Sequence, residues 1–181
     1  SVARFIYEKL REKAESLKAS SWHVLFPIET EHRVLCSIGL QQRVGTQFHW
    51  YNNNYTSFSD FLGGLNARKR KSIRKEREKI ASEEISFKRT DGKDITEAQW
   101  SDFFLFYQNT YAMRGTQGYL DIEFFRKIGE AMSEQILLIN AVRDNSDIAA
   151  ALFLKSEDSL FGRYWGSRVD QQFLHFETCY Y

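Results

Sequence analysis

The sequence predicts an α+β fold. Five segments repeat apolar residues at helical spacing, three short apolar runs in the last third are separated by tight polar turns, and further apolar and aromatic runs lie between the helical segments. Taken in order, residues 2–18 place Phe5, Ile6, Leu10, Ala14 and Leu17 on one helical face. The run Trp22 to Phe26, closed by Pro27, predicts a buried strand of the parallel kind. Glu29 to Ile38 predicts a second helix, with Thr30 as its cap and Gly39 as its stop. "QQRVGTQFHWYN" is rich in aromatic and β-branched residues and predicts another strand.

After the turn-forming "NNNYTS", Thr56 or Ser57 caps a helix expected to run unbroken over 57–81, about six turns. Its apolar stripe is Phe58, Phe61, Leu62, Leu65, Ile73 and Ile80, and the step from Leu65 to Ile73 passes through Lys69. "EISFKRTDG" predicts a strand ending in an Asp-Gly turn. Residues 95–113 predict a helix with six aromatic side chains on it, broken by "RGTQG", and a further helix over 121–132 starts at Asp121. Strands over 135–143, 147–155 and 159–167, joined by Asp144-Asn145-Ser146 and Ser156-Glu157-Asp158, predict an antiparallel meander. "FLHFETCYY" predicts one more strand.

Composition narrows the function classes. With 43% hydrophobic and 15% aromatic residues the chain buries a real core and is not a disordered tail. Cys36 and Cys179 stand far apart, which fits neither a disulfide framework nor a zinc site and reads as reduced thiols of a cytoplasmic protein. No signal-like segment and no apolar run of roughly 20 residues is seen, so no membrane span is expected. The formal net charge is only +1, yet residues 68–79 hold eight basic and two acidic side chains, net +6; the other 17 basic and 22 acidic residues leave −5. A general nucleic-acid binder spreads its basic residues over a whole face. There is no Walker loop, GxGxxG, HExxH, CxxC or Gly-x-Ser-x-Gly elbow, so no metal is expected at a site.

The motifs "QFHWYNNNYTSFSDFLGGLNARKRKSIRKERE", "YLDIEFFRKIGEAM" and "LFGRYWGSRVDQQFLHFETCYY" resemble those of the FemAB-like predicted N-acyltransferases, a peptidoglycan-related branch of the GNAT superfamily. The order strand, helix, helix, meander over 83–181 resembles the front half of a GNAT lobe, and helix, strand, helix, strand over 2–50 resembles the back half of another. The resemblance thus implies a GNAT-like mixed sheet with flanking helices. It divides the chain into 1–52 (C-terminal half of a first lobe), 53–82 (basic connecting helix) and 83–181 (N-terminal part of a second lobe), the middle portion of a tandem protein.

The activity so implied is N-acyl or aminoacyl transfer from an acyl-CoA or aminoacyl-tRNA donor to a small-molecule or peptide amine. The alternative is a non-catalytic GNAT-like module that binds an anionic cell-wall precursor, lipid headgroup or RNA. The candidate oxyanion-binding residues are Lys69, Arg70, Arg74 and Arg77 on the basic helix, which otherwise reads as a solvated connector. Period-2 alternation puts Phe161, Arg163 and Trp165 on one face and His175, Glu177, Cys179 and Tyr181 on one face. There, Glu177 and His175 are candidate general bases for an attacking amine, or Arg163 and Glu177 form a structural ion pair. Arg114 and Tyr119, in the loop between two helices, and Arg163 and Trp165 are candidate substrate contacts.

Overall fold

A computed structural model describes residues 2–181. It packs as two units, Ser1–Asn54 and Tyr55–Tyr181. The first contains helices α1 (Val2–Ser16) and α2 (Glu29–Ser37). Among its described residues no strand forms and no side chain is fully buried. The two strands expected at 22–26 and in 41–52 are therefore corrected to irregular chain. An apolar run becomes a strand only when a neighbour takes up its backbone hydrogen bonds, and this unit supplies none. α2 lies where expected and stops at Gly39, whose φ of +105° suits glycine. Its N-terminus is held by Glu31, which accepts the Ile28 N–H, and not by Thr30. Ile6, Tyr7 and Leu10 of α1 face Trp22, Val34 and Leu35 across a groove of about 520 Å³.

The second unit is an antiparallel sheet with helices on both faces. Its elements are α3 (Phe58–Gly63), α4 (Ala67–Ala81), β1 (Ser86–Asp91), α5 (Glu97–Ala112), α6 (Ile122–Ala131), β2 (Ile136–Arg143), β3 (Ser146–Lys155), β4 (Leu160–Ser167) and α7 (Leu174–Cys179). The strand order is β1-β2-β3-β4, and all three pairings are antiparallel, so the sheet is not mixed. Asp144 and Asn145, with φ of 51° and 59°, make the two-residue turn whose twist suits a β2–β3 hairpin.

One face carries α5 and α6 over Ile136, Leu138, Ala150 and Leu152, with Phe103, Phe106, Tyr107 and Phe125 buried between the layers. The other carries Ile80 of α4 and Leu174 of α7 over Ala141 and Ala149. Thr96 and Asp121 cap α5 and α6 by accepting the N–H groups of Gln99 and Phe124. α5 lies so close to β4 that a Cβ on Gly166 would stand 2.0 Å from the Phe106 carbonyl oxygen.

Two further expectations need correction. The helix expected over 57–81 is two helices: α3 ends at Gly63, and Asn66 starts α4 afresh by accepting the Lys69 N–H. The Gly63-Gly64 pair interrupts the stripe, because two adjacent glycines raise the entropic cost of continuing. Residues 174–179 are helical, not a strand, with Leu174 and Thr178 buried one turn apart and the Thr178 hydroxyl donating to the Leu174 carbonyl.

Candidate functional site

The edge strand β4 and helix α7 organise the chemistry of the second unit. Between Leu152 and Phe153 the β3–β4 register slips, so Leu152 faces Tyr164, Phe153 faces Gly162, and Arg163 is the extra residue of a bulge. The bulge resets the alternation: Tyr164 turns to the α5–α6 face and Trp165 to the α4–α7 face. Phe161, Arg163 and Trp165 therefore do not share a face. Thr110 and Asn109 of α5 donate to the Trp165 and Ser167 carbonyls at 2.8 and 3.2 Å. These contacts close the C-terminal half of β4 and leave its exposed first residues, Leu160 to Arg163, uncovered.

Helical geometry also separates the two candidate bases. Two residues apart on α7, Glu177 and His175 project in different directions. Glu177 meets α4: Arg77 Nε donates to both its carboxylate oxygens at 2.9 and 3.1 Å, and a second guanidinium nitrogen lies 2.9 Å from Oε1. The Glu177 side chain is only 10% exposed. The Arg77 guanidinium also stands 4.3 Å over the Phe58 ring. Glu177 thus pairs with Arg77 and not with Arg163, and its carboxylate is fully engaged. Beside it, Tyr181 donates to Glu76 Oε2 at 2.9 Å and Ser72 donates to Oε1 at 2.8 Å. Burial, then the bond to Glu76, pushes the Tyr181 phenol up to about 12.

His175 lies on the other side of α7, its ring 5.1 Å from Trp165 and 5.4 Å from Tyr180. Among the described residues nothing hydrogen-bonds to its ring nitrogens. Burial lowers its pKa below the usual 6.5, because the charged imidazolium is the form that desolvation penalises. Cys179, one turn on, is pushed up to about 12 by burial and stays a thiol.

The basic helix divides its cations among different tasks. Arg70 donates to the Leu62 and Gly63 carbonyls and so caps α3. Lys69 is exposed in the first turn of α4, one turn before the buried Ile73. Arg74 and Arg77, with Phe58, Leu62, Ile85, Phe87 and Glu177, line a groove of about 450 Å³. Glu78 lines the same groove, and among the described residues Arg74 has no ion-pair or hydrogen-bond partner.

On the opposite face of β4, Tyr119 and Tyr164 bring their hydroxyls within 3.1 Å, and Arg163 stands 5.3 Å over the Tyr164 ring. Arg114 is exposed on the same inter-helix loop as Tyr119. Burial, then the bond to Tyr119, raises the pKa of Tyr164. The sequence alone misses Glu76 and Tyr164, and gives Phe58 and Tyr181 their faces without their partners Arg77 and Glu76, which are distant in sequence. It also misses Thr110 and Asn109, whose polar heads among aromatics are the only local hint.

The family model for peptidoglycan biosynthesis/recognition, FemAB-like, matches residues 1–181. The chain belongs to the FemAB-like family. No curated protein gives a significant match. The family membership links the chain to peptidoglycan biosynthesis or recognition, and no helix among the described residues is long and apolar enough to cross a membrane.

Proposed function

We propose that this FemAB-like protein transfers an acyl or aminoacyl group from a CoA thioester or tRNA ester to an amine of a peptidoglycan precursor. The amine nitrogen attacks the donor carbonyl, a C–N bond forms, and the C–S or C–O bond breaks as the tetrahedral intermediate collapses. The amine's proton passes to His175 and from there to the departing sulfur or oxygen. The observation that carries this is His175 itself: a half-buried imidazole that burial holds toward its neutral form, with no partner for either ring nitrogen among the described residues and next to Trp165 on the edge strand. A base must be unprotonated and uncommitted to take a proton. Glu177, locked to Arg77, holds α7 against α4 and so fixes where His175 stands. Arg74, in the groove on the Glu177 side of α7, offers a cation for a carboxylate or phosphate of either substrate.

The test is transfer by the whole protein, with acyl-CoA and aminoacyl-tRNA supplied in turn and a peptidoglycan precursor as acceptor. His175→Ala is expected to lower kcat by about 10²- to 10⁴-fold, the usual contribution of a positioned base. It should also remove the fall in rate that protonation of the imidazole causes below pH 6.5. A His175→Ala protein with the wild-type rate and pH profile overturns the assignment.

A further inference from the structure

We infer that His32 and Cys36 on α2 form a two-ligand chelate for zinc or a similarly thiophilic divalent cation. The site belongs to the first unit alone and does not depend on the transfer chemistry above. Three observations carry it. First, the two ligand atoms already stand together: Cys36 Sγ lies 3.4 Å from His32 Nε2. Zn–S and Zn–N bonds of about 2.3 and 2.0–2.1 Å at a tetrahedral angle put their donors about 3.5–3.6 Å apart, so an ion asks the pair to open by no more than about 0.2 Å. The closeness that Cys36 and Cys179 do not offer each other comes instead from a histidine one turn away on the same helix face.

Second, the donors are reachable and are committed only to one another. Cys36 is exposed and His32 half-buried. Neither lines the apolar groove, to which the same helix turns Glu31, Val34 and Leu35. One shared hydrogen joins Sγ to Nε2, and among the described residues neither atom has another partner. A divalent ion takes the place of that hydrogen: metal–sulfur and metal–nitrogen bonds form, the S–H bond breaks, and its proton leaves to water. Third, the donor set selects the ion. One thiolate and one imidazole suit zinc and its neighbours, whereas calcium and magnesium take oxygen ligands. The carboxylate of Glu29 is taken up by Arg33 at 3.0 Å, and among the described residues no third His, Cys, Asp or Glu joins the pair. Water, or the same pair from a second copy, fills the remaining positions, which is why none of the zinc motifs sought in the sequence is needed. The same spacing recurs at His175 and Cys179 on α7, but burial there pushes the thiol up to about 12. Cys36 is the sulfur that an incoming ion meets.

The experiment titrates the whole reduced protein with Co2+, whose bond to a thiolate absorbs in the near ultraviolet, and then displaces it with Zn2+. A thiolate band that Zn2+ removes, with a proton released as the first ion binds, is the expected result. Cys36→Ser should abolish the band. His32→Gln should weaken binding by about 10- to 100-fold or more, since losing a group that merely orients a metal ligand already costs that much. Neither side chain is fully buried, and circular dichroism of the ion-free variants checks that the helices stand. In hydrogen exchange, Zn2+ at 100 times its Kd should slow opening of the α2 amides about 100-fold. One ion per chain would mean that water completes the shell, and one ion per two chains with an ion-dependent dimer would mean that a second copy does; either supports the pair. No thiolate band, a band that survives Cys36→Ser, or undiminished affinity in His32→Gln would overturn it.

Discussion

Gly166→Ala is the substitution to which the second unit should be least tolerant. The added methyl carbon would sit 2.0 Å from the Phe106 oxygen, 2.2 Å from the Phe106 carbonyl carbon and 2.8 Å from the Tyr107 nitrogen. All three are backbone atoms, so no side chain can swing aside. Optimal separations between such atoms are about 3.5 Å or more, so α5 must withdraw by roughly 1.5 Å. Overpacking of this kind costs about 1–3 kcal/mol. The withdrawal also stretches the bonds from Thr110 and Asn109 to β4, each worth about 0.5–1.5 kcal/mol. A total loss of about 2–6 kcal/mol corresponds to roughly 8–22 °C in Tm for a unit of this size. Urea unfolding, with hydrogen exchange read over the α5 amides, measures it. Gly162→Ala on the same strand is the control: its new methyl would meet only the Phe153 ring, at 3.6 and 3.8 Å, and should change stability by no more than about 0.5 kcal/mol. Equal effects of the two alanines would refute the argument that α5 is seated on Gly166.

Two other perturbations test the polar architecture. Arg77→Ala strands the Glu177 carboxylate at 10% exposure and is expected to cost about 1–3 kcal/mol by urea midpoint, at the lower end because the Arg77 side chain is 38% exposed. The Arg77→Leu/Glu177→Leu double variant should recover most of that loss, since an apolar pair leaves no stranded charge; if the single substitution costs nothing, the pair does not anchor α7. Asp147 is raised above 3.8 by burial and by the Asp102 charge, against the opposing pull of Asn140, Lys88 and Arg168. A carboxyl whose pKa is raised on folding destabilises the fold when ionised, so the wild type should gain stability relative to Asp147→Asn as pH falls from neutral toward 3.8. The protonated acid can also donate to Asn140 Oδ1, the buried oxygen left without a partner while Asn140 donates to Asp147 at 2.6 Å. A wild-type-minus-variant difference that does not change between pH 4 and 7 would contradict this.

What the sequence makes legible follows from how local each signal is. The meander of β2, β3 and β4 and the helices α5 and α6 are readable because turn chemistry, caps and apolar period all lie within a few residues of one another. Asp144-Asn145, Thr96 and Asp121 each do in the structure what their residue types favour. The strands expected in the first unit were not readable, since strand formation depends on a neighbour that the run itself does not encode. The site suffers most from two ambiguities of period. In "LHFETC" the pairs Leu174/Thr178 and His175/Cys179 fit a four-residue repeat as well as a two-residue one, and only the absence of an adjacent strand decides for helix.

That single decision turns His175 and Glu177 to different sides and gives each a different chemistry. The second ambiguity is the bulge, where one inserted residue, Arg163, reverses every inward and outward assignment on one side of it. Had β4 been regular, Arg163 and Trp165 would have faced α7 together, and Arg163 would have been placed to neutralise Glu177. The bulge instead sends Arg163 to the tyrosines, and the carboxylate of Glu177 is met from α4, 100 residues earlier in the chain. The freedom of His175 follows from the same rearrangement: with Glu177 satisfied by Arg77, the imidazole has no carboxylate to hold its proton, and burial keeps it neutral.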